Sequence, residues 1–351
     1  MSGGEQMEQT QDYNVLIEQM NTPAFLVHDG VITAVNRRAA QYMAEAGTPV
    51  ASILASGQEE YGKLENGSIY LNIKLCGVTH SCTVTQLNGQ QLFIMEDNTF
   101  SPELQVLALA AQQLSVPVSE ISLLLEQLTN ISDGQKAKIN QNLNKLQRML
   151  GNMSDAGQMI NQKPRMLTYE LCAIFEEVLC KAKALLSQNG FMLEYQLPSQ
   201  PVYSLAEPEM LKRAIYNLIS NAAKFTQQGG LIQASLKQTG NRLYFSITNG
   251  NTKASAANVF HRYTRQPGLE DSRFGLGLGM TLVHTAAVNH GGTVLAEQTE
   301  DQGLKVTMTI AVQKSKQTNV RSPILIPDLY GGRDQALIEL SDILSYQLYM
   351  D

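Results

Sequence analysis

Asn217, Asn221 and Lys224 stand at i, i+4 and i+7 in the segment 207–226, among apolar neighbours. On a helix that spacing puts two amides and an ammonium on one face. Amide oxygens can hold Mg²⁺ together with its waters, and a lysine offers a point charge to a phosphate. A helix with a merely wet face would carry the same residues. Downstream, Gly275-Leu276-Gly277-Leu278-Gly279 runs directly into a helical pattern that starts at Met280. Glycines without a Cβ let backbone N–H groups close on an anion, and a helix N-terminus favours negative charge. The run would also suit a hinge. The two stretches lie at a spacing that fits one domain, and together they point to a phosphorylated ligand.

The elements that must position these groups alternate between helix and strand from about residue 163 to 313. The pattern predicts helices over 170–188, 208–226 and 280–289. Strand pairs are expected at Leu231–Lys237 with Arg242–Thr248, around Thr239-Gly240-Asn241, and at Thr293–Gln298 with Lys305–Ala311, around Asp301-Gln302-Gly303. Ahead of this part, residues 101–162 read as two helices. Leu104, Leu107, Ala111, Leu114, Val118, Ile121, Leu125 and Leu128 recur at steps of three and four, as do Ile139, Leu143, Leu146, Leu150 and Met153. The break at 130–134 makes this an antiparallel hairpin with one apolar stripe per arm. Two such stripes bury best in a four-helix bundle made by two chains, which predicts a homodimer. Pro117, inside the first arm, removes a backbone donor and is expected to kink it.

Residues 13–99 read as a separate α/β unit. Ala24–Val27 and Val31–Val35 flank His28-Asp29-Gly30, a turn signal; a helical stretch is expected over 36–46. Antiparallel strands are expected at Ile69–Leu75, Thr79–Leu87 and Gln91–Met95, with Asn88-Gly89 between the last two as a hairpin turn. Residues 1–12 are polar and acidic, and are expected to be disordered. Residues 314–351 begin as a linker with Pro323 and Pro327 and end in an amphipathic helix carrying Leu337, Leu340 and Leu344. That helix either docks on its own domain or binds a partner.

At nearly every motif position, Glu207 to Thr226 is similar to the N box of bacterial sensor histidine kinases. Gly275–Gly279 resembles their second glycine box, and Phe260-His261-Arg262-Tyr263-Thr264-Arg265 their aromatic F box. The resemblance implies a Bergerat α/β sandwich that binds ATP and Mg²⁺. Asn221 would bind the metal with Asn217 beside it, and Lys224 would face the phosphates. Arg262 or Arg265 would reach the triphosphate, Gly275, Gly277 and Gly279 would form the glycine box, and residues 266–274 would be the lid. The family's first glycine box carries an Asp that accepts from the adenine amino group; here Asn249 takes that position. A hydrogen bond to a charged group contributes roughly 1.5–3 kcal/mol, against roughly 0.5–1.5 for a neutral pair. Adenine binding is therefore expected to be weaker by about tenfold, not lost.

The hairpin resembles the family's dimerisation and phosphotransfer domain, whose first helix carries His-Glu-x-x-Thr/Asn-Pro. With Pro117 fixing the register, Gln112 occupies the histidine position, Gln113 the acid position and Val116 the Thr/Asn position. An imidazole nitrogen is nucleophilic, and a neighbouring carboxylate orients it and takes its proton; a glutamine amide does neither. The five histidines are His28, His80, His261, His284 and His290, none of them in the hairpin. Self-phosphorylation at the usual place is therefore excluded by residue chemistry. Residues 13–99 resemble a PAS sensory domain through Asp29 to Ala40, and would take an unidentified small ligand or only pair.

Three functions follow from the resemblance: an ATP-binding pseudokinase, a kinase acting on a histidine of a partner chain, and a response-regulator phosphatase or binding module. Val116 speaks against the last of these. The bulk properties fit this picture. At 351 residues, 43 % of them hydrophobic and 17 % charged, the chain has the material for two or three globular domains. A net charge of -6 argues against nucleic acid or an anionic membrane as partner. No apolar run approaches the roughly 20 residues of a bilayer span, and Met1 to Thr10 has no signal-peptide pattern, so a cytoplasmic protein is expected. Cys76, Cys82, Cys172 and Cys180 form no CxxC pair and are expected to be reduced structural thiols.

Overall fold

In the computed structural model, residues 13–96, 102–128, 130–158, 164–250, 256, 259, 260, 277–301, 303–313 and 334–350 are described. After helix α1 (residues 13–19) the N-terminal unit contains β1 (Ala24–His28), β2 (Val31–Val35), α2 (Arg37–Ala40), α3 (Gln58–Tyr61), β3 (Ser68–Leu75), β4 (Val78–Leu87) and β5 (Gln90–Met95). Asn36 ties its first elements together. Buried to 1 % exposure, it accepts from the N–H groups of Ala24 and Ala39 and donates to the carbonyls of Ile17 and Thr22. The expected helix over 36–46 stops at Ala40, and Met43 is left-handed at φ 57°. At the expected hairpin turn Asn88 and Gly89 both have positive φ, the conformation that a two-residue turn of this kind requires.

The hairpin follows as α4 (Pro102–Gln127) and α5 (Asp133–Gln158). α4 runs on as helix through Pro117. Only part of the predicted stripe is buried between the arms: Ala111, Val118 and Leu125 of α4 meet Leu143 and Leu150 of α5. Leu114, Ile121 and Leu128, on the same stripe, stay more than half exposed, as do Val106, Leu109, Val116, Leu123 and Leu124. Contrary to expectation, the stretch Val106–Gln127 is long and apolar enough, by length and composition alone, to cross a bilayer.

The C-terminal unit comprises β6 (Leu167–Glu170), α6 (Leu171–Gln188), β7 (Met192–Gln196), β8 (Tyr203–Ala206), α7 (Pro208–Phe225), β9 (Leu231–Thr239), β10 (Arg242–Asn249), α8 (Gly279–Asn289), β11 (Val294–Gln298), β12 (Leu304–Ala311) and α9 (Gln335–Glu339). Capping carboxylates start three of its helices: Glu170 accepts from Cys172 and Ala173, Glu207 accepts from Met210 with Pro208 at the first helical turn, and Asp334 accepts from Ala336. The sheet order β11-β12-β10-β9-β7 is antiparallel except for the β7–β9 pair. Alternate residues of β10, Leu243, Phe245 and Ile247, are buried in the core that also takes Phe175, Val178, Ile215 and Ile219 from α6 and α7.

The two units share one sheet, an arrangement absent from the sequence expectations. β3 pairs with β11, so the five N-terminal strands continue into the five C-terminal ones. Gly67, at φ 103°, permits the junction: a Cβ there would lie 2.2 Å from the carbonyl oxygen of Ala296. Glu60, 2 % exposed, accepts from Arg242 at 3.0 Å and from Thr309 Oγ1 at 3.1 Å across the same boundary. Burying such a pair costs each ion its hydration, so the bridge specifies the docking geometry more than it adds stability.

Candidate nucleotide site

α7 carries the asparagine–lysine face. Its apolar residues Leu211, Ala214, Ile215, Leu218, Ile219 and Ala222 are buried against the sheet and its neighbours. Asn217, however, is no open ligand; it is 1 % exposed. Its Nδ2 donates to the carbonyl of Arg213, and its Oδ1 accepts from Arg148 Nη2 at 3.4 Å. Asn221, one turn on, is only half-buried. Lys224 closes the row near the helix C-terminus, with a side chain only 8 % exposed and Nζ 2.7 Å from Asp342 Oδ2.

α8 crosses this face at its own N-terminus. Gly277 has φ 75°, a conformation that glycine adopts without strain, and Leu278 caps the helix without a side-chain hydrogen bond. The first backbone N–H groups of α8 are thus left for other acceptors. Gly279 also has a packing role. A Cβ at that position would stand 2.8 Å from Asn217 Oδ1, so glycine there lets α8 lie directly on α7. Gly275, Arg262, Arg265 and the expected lid, 266–274, lie outside the described residues.

Asn249 ends β10 at 3 % exposure and donates from Nδ2 to the carbonyl of Ala222 on α7. With its amide nitrogen so occupied, Oδ1 is the atom suited to accept from an adenine amino group. An open pocket of about 420 Å³ lies near the same strand end, lined by Thr226, Gly230, Leu231, Gln233, Thr248 and Asp301, among others. Thr248 and Gln233 alternate with the buried Asn249 and Ile232, which places this pocket on the sheet face away from α7. It is separate from the asparagine–lysine face.

Four charged groups at the site were not singled out in the sequence. Arg148, from α5, is 4 % exposed; its Nη1 donates to Asp342 at 2.7 Å, and its Nε lies 3.6 Å from Glu339. Arg213, from α7, pairs with Asp155, with Glu339 at 3.1 Å and with Asn152 at 2.9 Å. Glu339 and Asp342 come from the C-terminal segment, which packs Ala336, Ile338, Leu340 and Leu344 into the interior. Of the two fates expected for this segment, it therefore takes docking on its own chain. α9 itself is shorter than expected, with a 3₁₀ turn following at Tyr346–Tyr349.

At the other end of α7, His290 accepts from the Glu207 N–H through Nε2 at 3.1 Å, while Nδ1 donates to the Ala286 carbonyl at 2.6 Å. Burial pushes the His290 pKa below, and the Glu207 carboxyl above, its ordinary range.

Gln112 and Gln113 are both exposed on α4. Among the described residues no cluster of three or more His, Cys, Asp or Glu side chains could hold a metal by itself. An amide such as Asn221 supplies a neutral oxygen, so a divalent cation here would depend on phosphate oxygens for its charge balance. That donor set fits a metal that arrives with a nucleotide.

Residues 206–314 match the family described as histidine kinase-, DNA gyrase B- and HSP90-like ATPase. The circadian input-output histidine kinase CikA of Synechococcus elongatus is 30 % identical over 135 residues, 37 % of this chain and 18 % of that protein. The sensor-like histidine kinase SenX3 of Mycobacterium tuberculosis is 23 % identical over 245 residues, 66 % of this chain and 60 % of that one. The sensor histidine kinase YcbM of Bacillus subtilis is 23 % identical over 239 residues, 64 % and 76 % respectively. The chain thus spans less than two thirds of the first two of these relatives. Among solved structures, histidine kinase ThkA in complex with the response regulator protein TrrA is similar at a TM-score of 0.43 and 15 % identity, over 86 % of this chain and 99 % of that one. These relatives are sensor histidine kinases, and residues 206–314 of this chain match the histidine kinase-type ATPase family.

Proposed function

We propose that the chain is a dimeric, ATP-binding signalling protein that does not phosphorylate itself on its hairpin. The observation that carries this reading is Gln112: an exposed amide stands where the family's resemblance places the phosphoacceptor imidazole, and no histidine occurs between His80 and His261. ATP would be held by Lys224 at the phosphates, Asn249 at the adenine and the N–H groups opening α8, with Asn221 on the Mg²⁺. When bound, Mg²⁺ would neutralise phosphate charge and fix the conformation of the triphosphate. The chain's own residues do the remainder: α7 and α8 fix the amides and the lysine, and the packed sheet beneath keeps water from one side of the base.

The open apolar face of α4 supports a second hairpin as its cover, giving a four-helix bundle. The N-terminal unit, with its PAS-like sequence, would take a small ligand or pair with its copy, and its shared sheet gives it a direct mechanical connection to the ATPase domain. A response regulator is the partner expected for such a protein, and the cytoplasm its location.

Incubation of the purified chain with γ-labelled ATP and Mg²⁺, beside an equilibrium binding assay, tests the proposal. Binding without acid-labile label is expected. Acid-labile label on the chain would overturn the reading, as would an absence of binding at millimolar nucleotide. One observation favours a second function: the same uncovered α4 face could accept the hairpin of a kinase that keeps its histidine, and this chain would then phosphorylate that partner. Label appearing on an added partner hairpin would establish it.

A further inference from the structure

The sequence offers Lys224 to a phosphate, yet the structure gives it a carboxylate. Asp342 Oδ2 lies 2.7 Å from Lys224 Nζ and 2.7 Å from Arg148 Nη1, so one oxygen joins two cations. That is the charge-assisted geometry a phosphate oxygen adopts between a lysine and an arginine. The carboxylate does not depend on those cations for its position. On one side of it Leu340 is fully buried, and on the other Leu344 is 3 % exposed. Asn189 donates to the Ile343 carbonyl and accepts from the Ser345 N–H at 2.7 Å, and Gln141 donates to the Leu344 carbonyl at 2.6 Å. The backbone is thus held on both sides of Asp342 by groups outside the charge cluster. Nor does Arg213 need Asp342, because Glu339 and Asp155 already pair with it.

We propose, resting on the nucleotide-binding reading above, that residues 334–349 carry a built-in competitor for the phosphate half of the site. Asp342 holds Lys224 and Arg148 until a phosphate takes its place, and Arg148 is a phosphate-facing cation that the hairpin helix α5 contributes. A polyphosphate entering beside an intact Asp342 would meet a like charge and find both cations engaged. As the carboxylate moves aside, the backbone hydrogen bonds next to it loosen, while Leu340 and Leu344 stay buried. The C-terminal segment therefore sets how much nucleotide is needed to occupy the site, and whatever lifts it raises the affinity.

The test compares the full-length chain with Asp342→Asn, measuring the equilibrium affinities of ATP–Mg²⁺ and of adenosine for each. The proposal expects ATP to bind the variant at least about tenfold more tightly, the loss of one charge-assisted contact, and adenosine to bind both proteins alike. Equal ATP affinities, or adenosine and ATP gaining together, would overturn it while leaving nucleotide binding in place. If neither protein takes up ATP at millimolar concentration, the competitor and the ATP-binding reading fall together. Should Asp342→Asn lose its cooperative thermal transition, Asp342→Ser serves in its place. Hydrogen exchange at the Ile343 and Ser345 amides of the unaltered chain gives a measurement free of any substitution: protection there should fall when ATP–Mg²⁺ is added and hold when adenosine is added. Protection that ATP leaves unchanged would count against the proposal.

Discussion

α7 and α4 both present a face whose residues ask for a partner, and the two faces are treated in opposite ways. The polar face of α7 is closed from within the chain: Arg148, Glu339 and Asp342 arrive from α5 and from the C-terminal segment to pair its cations and amides. The apolar face of α4 is left open, with Leu114, Ile121, Leu124 and Leu128 all more than half exposed beside a buried Ala111, Val118 and Leu125. Burying an unpaired charge is far more costly than exposing a leucine. A chain can therefore leave an apolar stripe to a second molecule, whereas buried cations need counter-charges as soon as the domain folds. On the proposed reading, the closed face would exchange its own carboxylate for a ligand, and the open one would take a second chain.

The largest expected effect tests the closed face. Glu339, 1 % exposed, lies between Arg148 and Arg213. Glu339→Ala leaves both guanidinium groups short of a buried counter-charge and is expected to cost roughly 3–5 kcal/mol in urea unfolding. A loss below about 1 kcal/mol would mean that water or other groups already compensate these cations, and the contrast between the two faces would lose its basis. On the hairpin, Leu125→Ala should cost roughly 2–4 kcal/mol, since that side chain is 4 % exposed between the arms. The paired change Leu114→Asp with Ile121→Asp touches only the open part of the stripe. It should leave the helix content intact and convert a dimer to a single chain in sedimentation at micromolar concentration; an unchanged mass would show that this face is not the one that pairs. Gly279→Ala sets a Cβ 2.8 Å from Asn217 Oδ1, where α7 and α8 meet. Overpacking of that kind costs roughly 1–3 kcal/mol, and nucleotide affinity should fall with it. Full stability in the alanine variant would show that α8 can shift away from α7 freely.

Helix periods and turn residues were legible in the sequence wherever the causes are local. The segment expected over 208–226 forms as Pro208–Phe225, because Glu207 and Pro208 write its start into the chain. The two hairpin arms and the Asn88-Gly89 turn follow for the same reason. What the sequence concealed is non-local. Asp342 meets Arg148 across 194 positions and Lys224 across 118, and no spacing rule links them. The junction of β3 with β11 depends on a missing Cβ at Gly67, one glycine among 26. The short strands β7 and β8 carry too few residues to show an alternation, and their pairing with β9 and β6 supplies the order that their own pattern lacks. The role of Gly279 was visible only in part: its need for space could be read, but not that the Asn217 side chain lies against it.

The smallest effect concerns the two ends of α7. Its C-terminal half ends in a cation paired with a carboxylate, but its N-terminus rests on a neutral imidazole, since His290 accepts the Glu207 N–H. A protonated ring could not accept that bond, and burial already holds the His290 pKa below its ordinary value. The folded state therefore binds a proton less readily than the unfolded chain. The stability that neutral His290 contributes is complete above the unfolded pKa of about 6.5 and declines as pH falls through the lowered folded value. Glu207 opposes this: its raised pKa makes the folded state the better proton acceptor, so it adds stability as pH falls toward the carboxylate range. Unfolding free energy followed downward from pH 7.5 should first decrease, and His290→Gln, which keeps a neutral acceptor beside the Glu207 N–H, should remove that first decrease while leaving the carboxylate contribution at lower pH. An identical slope in the variant would mean that the imidazole remains neutral in both states over this range, and that the start of α7 owes nothing to its charge.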